Sequence, residues 1–277
     1  MTLNGPGAAI PVSERTARSA DGIEIAYDVR GPIDGRPAIV FVHGWSCDRT
    51  YWRGQADAFA GRHRVVTVDL AGHGASGAGR RSWTMPAFGA DLAAVVEAED
   101  LREAVLVGHS MGGDVIAEGA LLVRDRVLGL VWVDTYQTLE DEDEDDDEAG
   151  LNAFVESFRN DFRGAVDAFV RRVTPASSGV ELVDWIANDM ASAPREIALD
   201  ALDHAVHGLR PTRAAIDRLG LAAAAINPPE PPSDEASLAR HGVELLTMTG
   251  VGHFAMLEDP PKFNRLLAGV VAGFASS

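Results

Sequence analysis

The chain has 277 residues, 46% of them hydrophobic, with a formal net charge of −18 and a single cysteine, Cys47. That length suits one large α/β domain with an insertion. The acidic balance argues against nucleic acid and anionic membrane surfaces as partners, and one cysteine excludes an intramolecular disulfide. Nine of the negative charges form one unbroken run, Glu140 to Glu148. Adjacent like charges repel, which predicts a solvated hinge there. The first twelve residues lack a basic segment followed by an apolar core, and no apolar stretch approaches the ~20 residues of a membrane helix. A cytoplasmic protein is expected.

In chain order, residues 1–20 read as a loose leader. Residues 22–30 alternate as a strand does, with a Gly-Pro-Ile-Asp-Gly turn after them. A short apolar strand over 38–42 runs into His43-Gly44-Trp45, and a helix is expected over 51–60. The next buried strand, 64–70, ends in Ala71-Gly72-His73-Gly74. Residues 85–99 carry Phe88, Leu92, Val95 and Val96 at helical spacing. Another apolar run ends abruptly in Gly108-His109-Ser110-Met111-Gly112, and a helix is expected from Met111 to about 123. Residues 127–133 form a continuous apolar strand that ends at Asp134.

The pattern then changes. Helical segments near 150–173, 180–190 and 194–208 follow with no convincing strand between them. Residues 139–211 therefore read as a helical cap inserted between 1–138 and 212–277, the two parts of one core. The sheet pattern resumes over 219–226, a Pro-rich loop occupies 227–232, and a last strand (243–249) and helix (260–274) close the chain. Strands separated by helices imply an α/β fold, with a mostly parallel central sheet flanked by helices. In such sheets ligands bind beyond the carboxyl ends of the strands. His43, Ser110, Asp134 and His253 all fall at or just after such ends.

The chemistry is carried by Ser110. Gly-x-Ser-x-Gly between a strand and a helix forms a nucleophile elbow. Gly108 and Gly112 give the tight turn its clearance, and the amide of Met111 opens the following helix, where negative charge is stabilised. A serine hydroxyl needs a base, and His253, in a glycine-flanked loop after the last strand, is the candidate. The imidazole needs a carboxylate. Asp134 is favoured, because a strand end positions a side chain better than a long loop; Asp234, beyond the Pro-rich loop, is the alternative. The amides of Trp45 and Met111 are the expected oxyanion donors. His43 and His73 are read as supports of their loops and His109 as a packing and hydrogen-bonding residue. His204 and His207 sit in the cap, at its surface or in its pocket. Cys47 lies at the site's entrance or is buried and inert. The spacing of histidines and carboxylates does not call for a metal, and no cofactor is expected.

On these segments the chain resembles the α/β-hydrolase superfamily. The resemblance is carried by His43-Gly44-Trp45, Asp69-Leu70-Ala71-Gly72-His73-Gly74, Gly108-His109-Ser110-Met111-Gly112-Gly113, Gly250-Val251-Gly252-His253-Phe254 and the closing Glu258-Asp259-Pro260. It implies Ser110 as nucleophile, His253 as base and the Trp45 and Met111 amides as oxyanion donors. Most members place the acid after the strand that follows the cap. Here that place reads Ala225-Ile226-Asn227-Pro228-Pro229, without a carboxylate. Haloalkane dehalogenases and cofactor-free quinolone dioxygenases resemble this chain in placing it after the earlier strand, which supports Asp134. The expected function is a serine hydrolase cleaving a small ester or lactone with an apolar part. Two other classes stay open: a cofactor-free dioxygenase or lyase using the His253–Asp134 pair as base, and a ligand-binding protein with slow residual turnover.

Overall fold

The computed structural model describes residues 10–140, 148–207, 216 and 218–276. Eight strands build one sheet: β1 (Ser13–Arg18), β2 (Glu24–Arg30), β3 (Ala38–Val42), β4 (Val65–Val68), β5 (Ala104–His109), β6 (Val127–Val133), β7 (Ala222–Asn227) and β8 (Val243–Thr247). Their order is β1-β2-β4-β3-β5-β6-β7-β8. The pairs β1–β2 and β2–β4 are antiparallel and the others parallel. Every residue of β3, β4 and β5 is buried. Central strands covered on both faces have no polar side to show, so their sequences read as unbroken apolar runs.

The edge differs from the sequence expectation. Residues 13–18, read as part of a loose leader, form β1, paired with β2 from Ser13 opposite Val29 to Arg18 opposite Glu24. Its sequence, Ser-Glu-Arg-Thr-Ala-Arg, is mostly exposed. The ladder and the Arg15–Glu99 ion pair hold it, so it carries no apolar periodicity to betray it. Residues 1–9 lie outside the described residues.

The helices of the core include α1 (Arg53–Phe59), α2 (Met85–Ala98), α3 (Met111–Leu122), and, labelled after the insertion below, α8 (Glu235–Arg240), α9 (Ala255–Glu258) and α10 (Pro260–Phe274). The helix expected over 51–60 is split, because Arg49–Trp52 is a 3₁₀ turn. Helix α2 begins where Thr84 accepts from the Ala87 amide, with a proline in its first turn. Helix α10 begins in the same way, with Asp259 accepting from the Lys262 amide at 3.0 Å. Such caps satisfy amides that have no partner inside the helix. Side chains alternate along β6: Gly129 lies under Phe274 of α10, while the Trp132 indole donates to the Gly113 carbonyl of α3. Those two helices therefore cover opposite faces.

The insertion comprises α4 (Glu148–Asn160), α5 (Phe162–Val173), α6 (Val180–Met190) and α7 (Arg195–His207), between β6 and β7. It is fastened to the ends of the parallel strands. The Trp45 indole, after β3, donates to the Ala198 carbonyl of α7 at 2.7 Å, and the His253 amide, after β8, donates to the Val173 carbonyl of α5 at 2.9 Å. Of the acidic run read as a hinge, residues 141–147 lie outside the described residues, as do residues 208–211 at the expected end of the cap. No helix among the described residues is long and apolar enough to cross a membrane.

Two buried histidines hold the loops after β3 and β4. His43 Nε2 accepts from the Leu70 amide at 3.0 Å, and His43 Nδ1 donates to the Gly44 carbonyl at 2.8 Å. His73 Nδ1 donates to the Ala71 carbonyl at 3.0 Å. Burial lowers His43 to about 4 and His73 to about 3, so both stay neutral in the fold while the unfolded chain protonates them near 6.5. The unfolded state then binds more protons, and these groups take stability away as pH falls from about 6.5 towards about 4. The buried Asp69, whose carboxyl burial pushes up, opposes this trend. A single variant isolates the histidine contribution: denaturant unfolding from pH 7 to 4 should show a shallower loss of stability in His73→Gln than in wild type. Equal slopes would mean that His73 titrates normally in the fold.

The close approach of β5 to α3 makes a second prediction. A Cβ on Gly108 would lie 2.2 Å from the Gly112 carbonyl oxygen, and one on Gly112 would lie 2.6 Å from the His43 carbonyl oxygen. These are backbone clashes, which only movement of the elbow relieves. Gly108→Ala should cost about 1–3 kcal/mol, read as a lowered denaturation midpoint with unchanged far-ultraviolet circular dichroism.

Candidate active site

Ser110 leaves β5 with φ 52° and ψ −125°, a conformation costing a non-glycine residue of order 1–3 kcal/mol. Five non-glycine residues have positive φ among the described residues, and three of them, Ser46, Ser110 and Asp134, stand in the loops that meet here. Neighbouring bonds hold the strained serine. Its amide donates to the Val133 carbonyl at 3.0 Å, and its own carbonyl accepts from Thr135 Oγ1 at 3.0 Å.

The structure brings Ser110, Asp134 and His253 to the wall of one cavity of about 990 Å³. His253 Nδ1 lies 2.6 Å from Asp134 Oδ2, a charge-assisted distance that leaves Nε2 as the other ring nitrogen. Asp134 is 8% exposed. Asp234 is elsewhere: it caps α8, its carboxylate accepting from the Ser237 amide at 2.9 Å. Trp45 and Met111, the two expected amide donors, both line the same cavity.

The supporting roles of two residues, Gln137 and Glu258, escaped sequence reasoning. Gln137 donates from Nε2 to Asp134 Oδ1 at 2.8 Å, so both carboxylate oxygens are engaged. Its own carbonyl accepts from the Asp234 amide at 2.7 Å. Glu258 accepts from the amides of Gly252 (2.9 Å) and Phe254 (3.0 Å), on either side of His253. His109, expected to pack and hydrogen-bond, donates from Nε2 to the His253 carbonyl at 2.8 Å. Burial, and then the neighbouring His253, hold the His109 pKa well below the usual value, so its ring is neutral. Glu258 stood within a quoted motif, but its partners did not. No signal in the sequence marks Gln137.

The loop after β7, where no carboxylate stands, braces the acid's loop instead. Asn227 Nδ2 donates to the Tyr136 carbonyl at 2.9 Å, and the Tyr136 hydroxyl donates to Asp114 on α3. Each of residues 134–137 is thus tied to a different part of the core.

The insertion roofs the cavity with Phe154, Phe158, Phe169, Leu202 and Val206. Phe158 and Phe162 stand edge-on to Trp45, with ring centroids 5.1 and 6.0 Å away. Cys47 lines the cavity yet is buried, and burial, with Asp189 adding to it, pushes its thiol pKa well up. It is therefore a protonated and unreactive group. His204 and His207 are not among the lining residues; His204 Nε2 lies 3.0 Å from Ser82 Oγ.

The comparisons agree with this architecture. The family model of the alpha/beta hydrolase fold matches residues 37–183, more than half the chain. A non-heme chloroperoxidase of Streptomyces lividans is 42% identical over 103 residues, a match that spans 37% of this chain and 37% of that protein. Among solved structures, an esterase from Thermogutta terrifontis superposes with a TM-score of 0.80 at 24% identity, covering 95% of this chain and 99% of that one. A bromoperoxidase from Bacillus anthracis gives 0.81 at 22% identity, covering 94% and 100%. With its sheet order, its strand-to-helix serine turn and its helical insertion, the chain belongs to the alpha/beta hydrolase fold family.

Proposed function

We propose that the protein is a serine hydrolase that cleaves a carboxylic ester or lactone with a substantial apolar part. The observation that carries this reading is the juxtaposition of Ser110, on its strained turn, with His253 held at 2.6 Å from Asp134 in one cavity. The esterase and haloperoxidase relatives support it at the level of the family. In this reading Ser110 Oγ attacks the carbonyl carbon while His253 Nε2 takes its proton. The oxyanion rests on the amides of Trp45 and Met111, each such donor contributing about 2.7–4 kcal/mol to barrier lowering. His253 then protonates the leaving alcohol, and water activated by the same ring releases the acid. Asp134 keeps the proton of His253 on Nδ1 and stabilises the imidazolium; Gln137 keeps Asp134 in place. Residues 139–211 act as a cap whose aromatic roof selects the acyl or alcohol group by apolar burial.

Turnover of p-nitrophenyl esters of graded chain length tests the assignment. Ser110→Ala should abolish it. Asp134→Asn should lower kcat by about 10 000-fold, because the neutral amide stabilises the wrong tautomer. Asp234→Asn, which keeps a helix-capping side chain, should stay near wild type. The reverse order for the two aspartates would move the acid to the loop after β7.

A further inference from the structure

Among the described residues, the helices of the insertion carry five arginines, and four spend their guanidinium on the protein itself. Arg159 pairs with Glu156 and Asp203. Arg163 donates to Asn188, Arg171 pairs with Asp167 and Asp184, and Arg195 donates to the Arg159 carbonyl. Arg172 has no hydrogen-bond acceptor or carboxylate partner among the described residues. Successive helical residues point about 100° apart, so the carboxylates that flank Arg171 do not serve its neighbour. Arg172, itself exposed, is among the residues that line the cavity that holds Ser110.

Its position there is defined. The guanidinium carbon lies 5.7 Å from the ring centroid of Phe154 and 5.9 Å from that of Phe169, both also lining residues. Phe169 in turn stands edge-on to His253, 5.9 Å between centroids. Two 5.9 Å contacts in series set an upper limit of about 12 Å between the cation and the His253 ring. A guanidinium beside aromatic rings and without a carboxylate partner keeps its N–H fork for a planar anion, which it matches bidentately. The cavity's carboxylates do not occupy that fork. Asp134 is taken by His253 and Gln137, Asp114 by Tyr136, and Glu230 is an exposed residue of the Pro-rich loop on the sheet side of the cavity.

We infer that Arg172 is an anion subsite of the cavity, and that the substrates are esters whose apolar chain ends in a carboxylate, that is, half-esters of dicarboxylic acids. This rests on the hydrolase reading given above. The carbonyl carbon sits at Ser110, the methylene chain lies against the phenylalanines, and the free carboxylate meets Arg172. Attack by Ser110 Oγ breaks the ester C–O bond, His253 passes the proton to the departing alcohol, and water cleaves the acyl-serine. The products are the dicarboxylic acid and the alcohol.

Two measurements on wild type, Arg172→Gln and Arg172→Lys separate this inference from the reading beneath it. The first compares kcat/KM for monomethyl esters of the dicarboxylic acids from glutaric to sebacic with neutral methyl esters of equal chain length, and with ω-ammonium analogues. Wild type should prefer the half-ester by about 10- to 100-fold, the range expected for a hydrogen bond to a charged group. Arg172→Gln should bring that ratio to about one, and Arg172→Lys should keep part of it. The second is calorimetric binding of suberate at fixed ionic strength, which needs no turnover; it should weaken by a similar factor in Arg172→Gln. Melting curves confirm that the variants fold. A wild-type ratio near one, a preference for the ammonium esters, or suberate binding that Arg172→Gln leaves intact would each overturn the inference. Suberate binding that depends on Arg172, with no hydrolysis of any ester, would uphold the subsite and remove the hydrolase reading instead.

Discussion

The site hangs on the placement of one carboxylate. Asp134 sits at φ 46° immediately after β6, a conformation that a side chain other than glycine adopts only when its surroundings impose it. The four residues 134–137 are fixed to four different partners: His253, the carbonyl of Ser110, Asp114 of α3 and the Asp234 amide. The same short segment therefore sets the acid, steadies the serine turn and anchors the loop after β7. A change in any one of these contacts is felt by the other three, because they share one backbone.

This arrangement explains what the loop after β7 does without a carboxylate. Asn227 stands where relatives commonly carry the acid, and its amide clamps the carbonyl of Tyr136. Farther along, Asp234 caps a helix and lends its own amide to Gln137. The loop thus braces the segment that carries Asp134, at the end of the neighbouring strand. The histidine is braced independently, by the Glu258 carboxylate on its flanking amides and by His109 and Val173 on its backbone. His253 and Asp134 thus meet at 2.6 Å as two separately supported groups, the kind of preorganisation on which the proposed proton transfer would draw. The aromatic roof is tied to the loop after β3 through Trp45, so a ligand pressing on the roof would bear on that loop as well.

Much of this was legible in the sequence wherever local pattern decides structure. The buried strands β3, β5 and β6, the helix α10 and the serine turn follow from apolar runs, proline and glycine at fixed offsets, and they stand where those signals put them. Asp134 was favoured over Asp234 on the mechanical ground that a strand end positions a side chain, and the geometry places it beside His253. What sequence could not supply were contacts between residues far apart in the chain. The bond from His109 to His253 spans 144 positions. Gln137 is an ordinary polar residue until Asp134 turns back onto it, and nothing near Arg172 in sequence says that it alone among its neighbours lacks an acceptor. Strand β1 was missed for a related reason: an exposed edge strand is held by its partner's backbone and shows no apolar alternation of its own.

The most direct measurement is the intact mass of the protein after treatment with a fluorophosphonate, with peptide mapping of the adduct. An activated serine displaces fluoride and retains the phosphonyl group, so wild type should gain one adduct, mapped to Ser110. Folded wild-type protein that acquires no adduct, or acquires it elsewhere than Ser110, would contradict the assignment of Ser110 as a nucleophile activated by His253 and Asp134.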